Sequence, residues 1–99
     1  MDEVVRAVRE WEGVTERALP DGVIELLYAG RPLGTVAPDG SVELRFHVGL
    51  AAMLVETGRA ESRGPGCVGL AGDPAEAVEL FRLAHERARV AERVRQDRG

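Results

Sequence analysis

Two short breaks, Ala29-Gly30-Arg31 and Pro38-Asp39-Gly40, cut residues 23–46 into three runs, VIELLYA, PLGTVA and SVELRF, and this pattern constrains the fold more than any other part of the chain. In the first run Ile24, Leu26 and Tyr28 share one face. In the third, Val42, Leu44 and Phe46 do so, with Ser41, Glu43 and Arg45 opposite. A period of two is the mark of a strand with one side in a core, so the segment reads as a three-strand antiparallel meander. The middle run is less clean, because Leu33, Thr35 and Ala37 alternate with Gly34 and Val36. Pro38-Asp39-Gly40 supplies a fixed φ, a side chain able to cap its own turn, and a residue free to take φ > 0.

Around the meander the pattern is helical. Asp2 is placed to cap a first helix over 2–11, in which Val4, Val8 and Trp11 form one stripe, and Gly13 ends it. Val14–Ala18 reads as a short, charged edge strand. Val48, Leu50, Ala51, Leu54 and Val55 predict a second helix over 48–57, closed by Thr57-Gly58. GRAESRGPG, residues 58–66, has no periodicity and reads as the longest loop. Cys67–Ala71 is apolar enough for a final strand. Asp73-Pro74-Ala75-Glu76 combines an N-cap acid, a proline at the first helical position and a glutamate three residues after the cap, which predicts a long helix from 74 to about 95. Its inner stripe is Ala77, Leu80, Phe81, Ala84, Ala88 and Ala91, and it loses bulk after Leu83, so the last turns are expected to project.

With 99 residues, 44% hydrophobic and 30% charged, the chain has the size and balance of one packed domain. The expectation is therefore a single α+β domain over 1–99, an antiparallel sheet of four or five strands with helices on one face.

Net charge of -4 disfavours a general affinity for nucleic acid or an anionic membrane surface. The opening MDEVVRAVREW has no basic stretch followed by an apolar one, Cys67 is the only cysteine, and the longest apolar run is far short of a membrane span; the expected location is the cytoplasm.

Few residues suggest chemistry. His47 and Cys67 both lie at ends of predicted strands and are the one conceivable base and nucleophile pair. Yet a cysteine opening an apolar strand reads first as core, and His47 as a cap or surface residue of the second helix. His85, among Arg82, Glu86, Arg87 and Arg89, reads as part of a solvated helix face. Glu25 and Glu43 read as solvating the outer sheet face. Two distant histidines and one cysteine, without HxxxH or CxxC, predict no metal, and the 12 glycines make neither GxGxxG nor GxxxxGK[ST], so no cofactor is expected. If a loop binds a ligand, 58–66 is the first suspect, and the candidate binding residues are its Arg59 and Arg63 together with His47 and Cys67. From Arg82 onward the last helix carries six arginines, and Arg82, Arg89, Arg93 and Arg95 are the candidate interaction residues.

The order of LG at 33–34, DG at 39–40, ELRF at 43–46, GRAE at 58–61 and ELFRLAHERA at 79–88 resembles the bacterial luciferase-domain family, and its layout is similar to the YjbR-like double-wing proteins. The family's two histidines fall here on Thr35 and Ala37, its second proline on His47 and its tryptophan on Cys67. The resemblance implies a fold, without the site those residues would build and without light emission. The acidic balance argues against copying the DNA-binding role described for the double-wing proteins. The expected function is a non-enzymatic binding or protein-interaction module, with a homodimer through the last helix as its expected partner. Nucleic-acid contact through that helix, and a small enzyme using Cys67 and His47, are the alternatives.

Overall fold

In the computed structural model, which describes residues 3–98, the elements run α1 (Glu3–Val8), β1 (Val14–Ala18), β2 (Ile24–Tyr28), β3 (Arg31–Val36), β4 (Val42–Arg45), α2 (Val48–Glu56), β5 (Glu61–Ser62), β6 (Cys67–Leu70) and α3 (Pro74–Arg98). The class is α+β, and every strand pair is antiparallel, in the order β1-β2-β3-β4-β6-β5. The sheet has six strands rather than the expected four or five. The additional strand is β5, which lies inside the segment read as loop and pairs Glu61 with Gly69 and Ser62 with Val68. Two residues give no alternation to read, so the strand exists only through its partner.

Successive partners Leu26, Gly34, Leu44 and Val68 make one row across β2, β3, β4 and β6, and Ile24, Val36, Val42 and Leu70 make the next. Both rows face the helices. Leu26, Leu44 and Val68 are fully buried with Val4, Val8, Leu54, Leu80 and Phe81 in one core that takes side chains from all three helices. Each such aliphatic side chain contributes about 1.5–3 kcal/mol of burial.

The irregular middle strand has a physical cause. The β2–β3 register shifts between Leu26 and Leu27, which leaves Leu33 as an extra residue on β3. At such a bulge two consecutive residues share a face. Leu33 and Gly34 are accordingly both buried, followed by Val36, while Thr35 points outward. Gly34 is required there: a Cβ would overlap the Glu43 carbonyl oxygen and lie 3.1 Å from Phe81 Cε1. Bulges of this kind bend their strand, and this one lies directly after Arg31 and Pro32 at the start of β3. Beyond β3, the turn before β4 is closed by Gly40 N–H donating to Ala37 O (2.9 Å). Hydrogen bonds from the Ser41 hydroxyl and then its amide lower the pKa of Asp39.

The first helix is shorter than the expected 2–11, and Asp2 lies outside the described residues. After Val8 the chain tightens into turns, with Trp11 N–H bonded to Val8 O (3.0 Å) and Val14 N–H to Trp11 O (3.2 Å). α2 is capped at its start by His47, whose Nδ1 accepts from Gly49 N–H (3.2 Å). It ends with Arg59 N–H on Leu54 O (3.0 Å) and Gly58 N–H on Val55 O (3.1 Å), the paired bonds of a left-handed cap, with Gly58 at φ 75°. α3 starts as expected, with Asp73 Oδ1 accepting from Glu76 N–H (3.1 Å). Its inner stripe is buried through Ala84, half-buried at Ala88 and exposed at Ala91, so the last turns leave the sheet behind. No helix among the described residues is long and apolar enough to cross a membrane.

Candidate functional site

Side-chain direction in β6 is set by its pairing with β4. Val68 faces Leu44 on the inner side, so Cys67, opposite Arg45, falls on the outer face and is half-exposed. The reading of Cys67 as core is corrected: the apolar row begins one residue later. Cys67 and His47 do line a common hollow of about 450 Å³ with Arg45, Phe46, Val48, Pro65 and Gly66, but it is open to solvent. His47 is also committed. With Nδ1 accepting from Gly49, the neutral ring carries its proton on Nε2 and offers a donor there, not the lone pair a general base needs.

The predicted arginines are mostly neutralised. Arg59 Nε donates to Glu76 Oε1 at 2.8 Å, tying the end of α2 to the start of α3. Arg63 pairs with Glu61 at 3.1 Å and lies over Gly69, where a Cβ would meet its Nε at 2.8 Å. On α3, Arg82 pairs with Glu79 at 3.8 Å and stacks over the Trp11 ring at 5.1 Å; Arg89 pairs with Glu86 at 3.2 Å and Arg95 with Glu92. Arg93 has no ion pair with a described residue. The helix charges therefore largely stabilise the helix itself, as i,i+3 pairs.

Two expectations for polar residues are reversed. His85 is buried, 5.3 Å from the Trp11 ring and 5.2 Å from that of Tyr28, with Nε2 2.9 Å from Glu12 O. It locks α3 to the turn after α1. Glu25, read as solvating the sheet, is buried and paired with Arg17 across β1 and β2.

A different set of cations remains. Arg31 at the start of β3, Arg45 at the end of β4 and Arg87 on α3 line one groove of about 510 Å³, together with His47. The rest of its wall is Pro32, Leu33, Phe46, Ala84, Ala88 and Ala91. All three arginines are exposed, and among the described residues none has an acidic side chain within 4.0 Å. Arg31 opens β3 just ahead of the bulge, Arg45 follows the last β3–β4 pair, Gly34 with Leu44, and α3 brings Arg87 to the same groove with Ala84 and Ala91. Unpaired guanidinium groups lining one groove suit it to an anionic group.

Sequence reasoning did not select Arg31, Arg45 or Arg87. For Arg87 a signal existed: Leu83, Ala84, Val90 and Ala91 occupy its three- and four-residue neighbours, so no acid on the helix can reach it, unlike Arg82, Arg89 and Arg95. Arg31 and Arg45 carry no such sign, because the groove joins two strands and a helix far apart in sequence. Comparison with protein-family models, curated proteins and solved structures finds no match to this chain.

Proposed function

We propose that the chain is a non-enzymatic binding module, and that the groove between α3 and the β3–β4 end of the sheet takes an anionic group. One observation carries this reading. On a protein of net charge -4, three arginines with no acid partner among the described residues line a single groove. Guanidinium forks suit carboxylate and phosphate oxygens, and a charge-assisted hydrogen bond is worth about 1.5–3 kcal/mol. The test is titration of the full chain with inorganic phosphate at low salt, followed by amide shifts. Shifts are expected at residues 31–33, 45–47 and 84–91, and none in Arg87→Ala at the same concentration.

Self-association through α3 is a second reading, favoured by Val90 and Val94, large apolar side chains left 56% and 47% exposed about one turn apart. Sedimentation of the wild type against Val94→Glu tests it, and equal monomer masses would remove it.

A further inference from the structure

The groove has two kinds of wall. Its polar part is Arg31, Arg45, Arg87 and His47; its apolar part is Leu33, Phe46 and the alanine steps of α3. Resting on the anion-binding reading above, we infer that the ligand is a small organic phosphomonoester whose phosphate meets the arginines while a flat apolar body lies along Phe46 and the alanines.

Charge selects the head group. A carboxylate brings one negative charge and two oxygens, fewer than three guanidinium forks can use. A phosphomonoester brings close to two charges and three terminal oxygens, which matches them. Apolar area selects the body. Free inorganic phosphate would leave Phe46, Ala88 and Ala91 partly against water, whereas a ring laid on them removes apolar surface from water. The volume agrees: about 510 Å³ lies within the usual range for small-molecule sites and well above the roughly 150 Å³ that holds one benzene ring, so head and body fit together.

A polynucleotide fits less well, although it carries the same phosphate chemistry. Glu86 and Glu92 stand on the same helix, paired to Arg89 and Arg95, and the net charge of the chain repels a long polyanion. Among the described residues only Phe46, half-buried, and the cap residue His47 are aromatic in the groove, too few to stack a run of bases.

Calorimetric titration of the full chain at low salt with inorganic phosphate, phenyl phosphate, benzoate and a mixed-sequence oligonucleotide tests the inference. Phenyl phosphate is expected to bind at least tenfold tighter than either phosphate or benzoate. Ala91→Glu, which puts a carboxylate on exposed α3 surface four residues from Arg87, is expected to abolish that binding while the melting temperature holds. Phenyl phosphate binding no tighter than phosphate would overturn the ligand class and leave the anion site standing. Tighter binding by benzoate or by the oligonucleotide than by phenyl phosphate would also overturn it. Absence of binding by every probe would sink the anion site itself, and undiminished binding in Ala91→Glu would place the ligand elsewhere.

Discussion

Two hollows share Arg45, Phe46 and His47 as a common wall, and they differ in what the rest of the fold brings to that wall. Toward β6 the neighbours are Val48, Pro65, Gly66 and Cys67, which continue into an apolar cleft of about 480 Å³ against Ala51, Ala52 and Val55 of α2. The arginines of that region, Arg59 and Arg63, are turned to Glu76 and Glu61. Toward α3 the neighbours are Arg31 and Arg87, and among the described residues no acid lines that groove with them. Arginine count in sequence is similar on the two sides. The difference lies in whether an acid is placed within reach, and that decides which arginines belong to the fold and which are free for a ligand.

The sharpest way to break this contrast is to remove the unpaired set. Replacing Arg31, Arg45 and Arg87 together by Ala is expected to lower phenyl phosphate affinity at least a hundredfold, on the order of 3 kcal/mol, because each contributes a charge-assisted bond. Stability should change by less than about 1 kcal/mol, since the three are exposed and hold no ion pair with a described residue. Titration and urea denaturation of the same variant separate the two quantities. Affinity within threefold of wild type would erase the distinction between the hollows.

Next in size is the effect of Gly34→Ala, which tests the bulge next to Arg31. Overlap of the new Cβ with the Glu43 carbonyl and its crowding of Phe81 should cost about 2 kcal/mol or more, seen as a lower urea midpoint with an unchanged slope. A neutral outcome would mean that Leu33 and Gly34 do not share the inner face.

That bulge also marks where the sequence stops being legible. Period-two alternation in VIELLYA and SVELRF was enough to place Ile24, Leu26, Val42 and Leu44 against the helices, because both strands are regular and half-covered. PLGTVA obscured its own period, since one inserted residue moves Leu33 onto the face of Gly34 and Val36. The register of β6 decided the face of Cys67, and a four-residue strand offers too few positions to fix parity beforehand. His85 was misread for another reason. On its own helix it is surrounded by charge, while the rings that bury it, Trp11 and Tyr28, stand far away in sequence. Helix starts and ends were legible where local chemistry sufficed, as at Asp73-Pro74 and Thr57-Gly58. Of the site, Arg87 alone carried a local sign, the absence of acids one turn away.

On the opposite side of the contrast, Arg59→Ala should act on the fold alone. Its pair with Glu76 is partly exposed, with side chains 42% and 29% accessible, so its loss is worth about 0.5 kcal/mol. Phenyl phosphate affinity should stay within twofold. A loss of affinity with unchanged stability would instead place a ligand contact at the end of α2, the side where the loop first suggested one.

The smallest expected effect belongs to Cys67→Ala. Cys67 sits opposite Arg45 on the outer face, and its side chain lines the hollow toward β6 rather than the arginine groove. Alanine there opens no buried cavity and removes no ion pair, so affinity and urea midpoint should both match wild type within error. The half-exposed thiol should also react with iodoacetamide in the native state, at a rate that saturating phenyl phosphate does not slow. Protection of Cys67 by phenyl phosphate would join the two hollows into one site. Labelling much faster than that of a free thiol would restore the pairing with His47 that the Gly49 hydrogen bond now argues against, and with it the reading of this chain as an enzyme.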